Sequence, residues 1–167
     1  MLEYFDVLDE NRNFLHKTLP RGTKLAPNEF NQGAEAWILS KDNKILITQR
    51  SKLKSHPLMW EAPGGCTIAG ENTSQTIIRE LQEELGLDIN LNSIKLIDTK
   101  LYKYQFVDIF IVTADFELSS LQLQSSEIAA AQFVSFDEME KLIKDNQIVP
   151  CTLDHYDIVK NYIKENH

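Results

Sequence analysis

The stretch from Gly65 to Leu87 constrains this chain more than any other. Gly65-Cys-Thr-Ile-Ala-Gly-Glu71 is a loop bounded by glycines, Asn72 to Leu85 is a helix-length run, and Gly86-Leu87 closes it. At about 100° per residue, Glu80, Glu83 and Glu84 share one helix face within an arc of roughly 100°. An adjacent arc carries Ile77, Ile78, Leu81 and Leu85, the apolar stripe of an amphipathic helix. Three like charges at i, i+3 and i+4 repel, so this face costs stability unless something offsets it. A hard divalent cation does so, because magnesium takes a few carboxylates, waters and the oxygens of a phosphate.

The spacing of these residues is that of a known motif. Gly65, five residues, Glu71, seven residues, Arg79-Glu80-Leu81, one residue, Glu83-Glu84, one residue, Gly86-Leu87 resembles the Nudix box at every constrained position. The resemblance implies an α/β fold, an α/β/α sandwich with a mixed central sheet and a loop-helix-loop metal site. It also implies a hydrolase that uses Mg2+, or Mn2+, to cleave a nucleoside diphosphate linked to another group. By the same resemblance Glu80, Glu83 and Glu84 match the metal-ligand and base positions, and the Gly65 carbonyl matches a backbone metal ligand. Arg79 and Glu71 match a pair that orients the glutamates, with Arg79 counted among the catalytic residues together with Glu80 and Glu83. A guanidinium suits that role, since it clamps carboxylates bidentately and fixes their rotamers. Glu127, in Ser125-Ser-Glu-Ile128, resembles a late loop glutamate of the family that serves as an extra metal ligand or general base. Glu80 and Glu127 are therefore the two candidates for the base.

A chain of 167 residues suits one domain, drawn here as 1–167, with residues 1–30 added to the minimal fold as a hairpin and a crossing segment. The net charge of −8 argues against an extended nucleic-acid partner, which needs a basic footprint. It does not exclude a small nucleotide, because metal ions supply local positive charge. Two cysteines, Cys66 and Cys151, make neither a disulfide framework nor a CxxC metal motif. The start lacks the pattern of a signal peptide, and no apolar run approaches the ~18 residues of a membrane span, so a cytoplasmic location is expected. The oligomeric state is left open, a homodimer included.

Along the chain, Tyr4–Leu8 and Phe14–Lys17 read as a hairpin, and Ala34–Leu39 with Lys44–Arg50 as the clearest hairpin of the sequence. Ser93–Tyr102, Val107–Phe116 and Gln132–Phe136 read as strands, Phe136–Lys144 and Asp154–Lys164 as helices. Arg50-Ser-Lys-Leu-Lys54 gathers cations just before the box, and Arg50 and Lys54 are expected to face the diphosphate. The aromatic turn Tyr102–Phe106 offers Tyr104 as a surface on which a base would stack. Trp60 reads as core and His56 as a loop residue.

Two other functions are weighed. The opening Glu3–Asn11 and His56–Trp60 resemble the isopentenyl-diphosphate isomerase branch of the same fold. That chemistry implies a strand cysteine and histidine metal ligands, whereas the strand here reads Glu61-Ala-Pro-Gly-Gly65 and Asn31 stands near an expected histidine. A binding module without catalysis is disfavoured because no box glutamate is missing.

Overall fold

The computed structural model describes residues 2–166, the terminal residues 1 and 167 of the expected domain lying outside it. Strands β1 (Tyr4–Leu8) and β2 (Phe14–Pro20) pair antiparallel in a small sheet of their own. The central sheet is built from β3 (Asn31–Leu39), β4 (Ile45–Arg50), β5 (Trp60–Glu61), β7 (Ile94–Tyr102) and β8 (Gln105–Thr113), in the order β5-β4-β3-β8-β7. Two further strands join it, β6 (Gly64–Cys66) on β3 and β9 (Ile128–Val134) on β4. Three α-helices among the described residues complete the fold: α1 (Thr73–Leu85), α2 (Phe136–Lys144) and α3 (Pro150–Asn166). The sheet is mixed, because β3 runs parallel to β8 and antiparallel to β4 and β6.

Period-two alternation along β3 divides the core into two layers. Ala34, Ala36 and Ile38 pack on Ile77, Leu81 and Leu85 of α1. Trp37 and Leu39 face the other way, against Met139 of α2 and Tyr156, Val159 and Ile163 of α3. The result is an α/β/α sandwich. Trp60 lies half-buried against the second layer, and His56 is an exposed loop residue.

Several boundaries depart from the sequence reading. The β3–β4 hairpin is paired only at Leu39 and Ile45. Beyond that point the strands part: β3 takes β6 at Gly33–Glu35, while β4 pairs with β9 and β5. Helix α3 starts at Pro150, four residues before Asp154, since proline lacks only an N–H that the first helical turn leaves free. Strand β9 begins at Ile128, not Gln132, because β4 offers it partners as far as Arg50.

The N-terminal hairpin is locked to the sheet through its turn. Arg12 makes a bidentate pair with the buried carboxylate of Asp108 on β8, at 2.8 and 3.0 Å, and stacks over Phe106. Thr73 and Thr99 each donate to Asp108 at 2.6 Å. Burial would raise this carboxyl, but Arg12 and the two threonines outweigh it and hold the pKa below its ordinary value. Strand β1 also braces the loop before α1, with Ala69 N–H donating to Tyr4 O and Gly70 N–H to Asp6 Oδ2.

Candidate active site

Helix α1 is fixed at both ends by its own sequence. Asn72 caps it by accepting from Gln75 N–H, while the Gln75 side chain accepts from Asn72 N–H, a complete capping box. Gly86 ends it in the left-handed region at φ 69°, where other residues are strained, and its N–H reaches Gln82 O. These stops set the rotation of the helix, and with it the direction of every glutamate.

Arg79 organises the carboxylates. Its Nε and Nη2 donate to the two oxygens of Glu71 at 2.9 and 3.2 Å. Its Nη1 donates to Glu80 Oε1 at 3.0 Å and Glu83 Oε2 at 3.2 Å, and Nη2 also reaches Cys66 O. Burial opposes the guanidinium charge, but Glu71 and Glu80 more than offset it and raise the Arg79 pKa. Glu71 itself is absent from the pocket lining, its carboxylate lying behind Arg79.

Glu80, Glu83, Glu84, Glu127, Gly65, Arg79 and Lys54 line one cavity of about 180 Å³. Gly65 is there because nothing larger fits: a Cβ would lie 2.1 Å from Glu80 Oε1. Glu80 and Glu84 are buried, whereas Glu83 is exposed at its tip. Burial pushes Glu84 up to about 7, with Lys54 pulling it down and Glu80, Glu61 and Glu127 adding to the rise. Burial likewise raises Glu80 against the opposing pull of Arg79. The Lys54 ammonium lies among these groups, 2.8 Å from Glu127 and 3.6 Å from Glu84. Burial disfavours its charge, but the carboxylates prevail and its pKa is raised.

A second cleft, of about 340 Å³, adjoins the first and shares Arg21, Lys54, Gly64 and Gly65 with it. Glu35, Glu61, Cys66, Gln105 and Cys151 also line it. Arg50 faces this cleft and not the box carboxylates, with its guanidinium committed to Glu61 at 2.6 Å and to Ser55. Burial pushes Cys151 up to about 12, so this thiol is no ready nucleophile. Tyr104 is a correction. It occupies the two-residue turn between β7 and β8, the residue is 59% exposed, and it lines neither cavity. The strand returns inward one residue later, so Gln105 faces the cleft and donates to Cys66 Sγ. Ala62, directly after β5, is buried.

Arg21 is the residue the sequence did not disclose. It lines both cavities, its guanidinium pairs with Glu3, and the charge of Glu80 helps to raise its pKa against burial. The only signal in the sequence is a cation fixed between Pro20 and Gly22, in a segment without periodicity.

Comparison with known proteins agrees with this architecture. A model of the NUDIX domain matches residues 30–155. An uncharacterised Nudix hydrolase of Listeria monocytogenes is 36% identical over 151 residues, covering 89% of each chain. Among solved structures, DR0079 of Deinococcus radiodurans superposes with a TM-score of 0.74 at 17% identity, over 88% of this chain and 92% of that one. The NUDIX domain of Shewanella oneidensis NrtR, complexed with ADP ribose, superposes with a TM-score of 0.64 at 16% identity, over 89% and 96%. No helix among the described residues is long and apolar enough to cross a membrane. The box, the mixed sandwich that carries it and the match over most of the length lead to one assignment: the chain belongs to the Nudix hydrolase family.

Proposed function

We propose that this protein hydrolyses the diphosphate linkage of a small nucleoside diphosphate derivative, with Mg2+ or Mn2+ held by the box. One observation carries the reading: Glu80, Glu83, Glu84 and Glu127 converge on a cavity that opens directly into a larger cleft through Arg21 and Lys54. The donor set fits a hard cation, being all oxygen, and the missing Cβ of Gly65 leaves the Glu80 carboxylate its place. Glu80, Glu83, Glu84, Glu127 and the Gly65 carbonyl would hold the metal. When bound, it supplies charge neutralisation to the diphosphate and acidifies water at the site.

The chain's own groups do the rest. Arg79 holds Glu80 and Glu83 in place through its contact with Glu71. Glu127 is the base we favour over Glu80, because among the described residues its carboxylate is paired with Lys54 alone while Glu80 Oε1 is engaged by Arg79. Lys54 and Arg21 face the diphosphate, and proton transfer to Glu127 would free Lys54 to follow the departing phosphate. The nucleoside portion occupies the second cleft beside Gln105. The ADP ribose bound by the Shewanella domain belongs to the same chemical class.

The test is turnover of a panel of nucleoside diphosphate derivatives, and of a prenyl diphosphate, against a titration of Mg2+. Metal-dependent release of a nucleoside monophosphate from members of the panel is expected. Conversion of the prenyl diphosphate to an isomer without cleavage, or no turnover of any compound at saturating metal, would overturn the proposal.

A further inference from the structure

On the opposite layer of the sheet from the box helix, three side chains form a cluster that the reaction above does not use. Glu35 of β3 and His155 of α3 are almost wholly buried, at 5% and 1% exposure, and Cys151 lies one helical turn before His155. One donor atom from each lies within 4.8 Å of the others. His155 Nδ1 is 2.7 Å from Glu35 Oε2 and 4.0 Å from Cys151 Sγ. We propose that Glu35, Cys151 and His155 form a second cation site, for Zn2+ or a similar borderline divalent ion, separate from the carboxylate cavity and independent of its assigned function.

The chemistry of the donors sets the class of ion. Imidazole, thiolate and carboxylate together are a zinc set, whereas Mg2+ prefers oxygen alone. Cys151 and His155 stand at i and i+4 on one face of α3, a spacing that lets a single helix offer two ligands. Tetrahedral zinc with the usual bond lengths needs donors about 3.3–3.6 Å apart. The observed 2.7 and 4.0 Å bracket that range, so small side-chain rotations are enough. Glu35 is held for the purpose, with Thr152 Oγ1 donating to one oxygen at 2.6 Å and Trp37 Nε1 to the other at 3.1 Å. A bare hydrogen bond between Glu35 and His155 would account for those two residues. It would not account for a thiol beside them that is too far from the imidazole to bond well.

Glu35 and Cys151 also line the second cleft. A three-ligand ion there would keep its fourth position toward the cleft, free for water or an oxygen of the bound group. It would also pin α3 to β3, since Glu35 is the only ligand that α3 does not supply.

Cobalt tests this with a readout that does not depend on activity. The full-length chain is stripped with a chelator, Mg2+ is added in excess to fill the carboxylate cavity, and Co2+ is titrated alone. A sulfur-to-cobalt charge-transfer band that saturates at one ion per chain is expected, and Zn2+ should bleach it. Cys151→Ser should abolish the band and weaken Zn2+, measured by competition with a chromophoric chelator, by at least the roughly 10–100-fold that losing an outer-shell partner costs. Cys66→Ser should leave both unchanged. In the Cys66→Ser chain, stoichiometric Zn2+ should also slow alkylation of the remaining thiol, which needs no change at Cys151. No band, a band that survives Cys151→Ser, or alkylation indifferent to Zn2+ would overturn the site.

Discussion

Replacing Glu84 by Gln tests whether the box is electrostatically strained when no cation is bound. The folded protein holds the Glu84 proton to about pH 7, against 4.5 for the ordinary group. At about 1.4 kcal/mol per unit, the ionised form is therefore penalised by roughly 3 kcal/mol. Because the folded state binds this proton more tightly than the unfolded chain, the associated stability is full below pH 4.5 and is lost as the pH rises through 7. Glutamine cannot ionise and escapes the loss. In EDTA at pH 8, Glu84→Gln should be more stable than the wild type by about 2–3 kcal/mol, a melting temperature higher by roughly 5–10 °C for a chain of this size. At pH 5 the same difference should shrink below about 1 kcal/mol. Thermal melts in both buffers measure it, and Mg2+ should raise the wild type more than the variant while hydrolysis is lost. A variant no more stable than the wild type at pH 8, or a difference that stays constant down to pH 5, would refute the argument.

Other substitutions probe other parts of the site. Gly65→Ala would drive a methyl onto Glu80 Oε1, and the displaced carboxylate should cost about 100-fold in kcat/KM, read in steady-state assays. Arg21→Ala should raise KM for every diphosphate by about 10-fold, the worth of one charge-assisted contact, with the melting temperature little changed. Tyr104→Ala, outside both cavities, should leave the ranking of nucleobases as it was. Arg12→Ala removes the partner of a buried carboxylate and should cost about 1–3 kcal/mol at pH 7. Since the Asp108 pKa is lowered from 3.8, the contribution is present above that value and disappears as the pH falls through the folded one, so the two denaturation curves should converge in acid.

The box was legible because everything that builds it is local. Asn72 and Gly86 mark the helix ends, and Arg79 reaches its carboxylates within a loop and three turns of the same helix. The layers were expected only from the resemblance that the box carries, and it is the structure that shows them resting on the alternation of Ala34, Ala36 and Ile38 with Trp37 and Leu39. What local sequence could not give depends on distant strands. Arg21 enters the site because the hairpin docks on the sheet and on the loop before α1, partly through Arg12 on Asp108, 96 positions beyond it. Tyr104 is conspicuous in the sequence as an aromatic residue, whereas Gln105 reaches the cleft because it pairs with Asn31 across the sheet. The parting of β3 from β4, which lets β6 bring Gly65 to the carboxylate cavity, has no local signature either.

The parallel ladder between β3 and β8 has a consequence for how the protein is made. Its nine register positions begin with Asn31 against Gln105, a separation of 74 residues (105 minus 31). Nothing local can substitute for this pairing, and closing so long a loop costs entropy before any contact repays it. At synthesis rates of about 5–20 residues per second, β3 would wait roughly 4–15 s on the ribosome for its partner. Throughout that interval the apolar side chains of Ala34, Ala36, Trp37, Ile38 and Leu39 and one long strand edge are uncovered. Asp108, the anchor for the hairpin, emerges in the same late strand. The box helix can thus form early from its own caps, but the cavity it serves can assemble only after Glu127, beyond the end of β8, has left the exit tunnel, and chaperone contacts during synthesis should concentrate on β3.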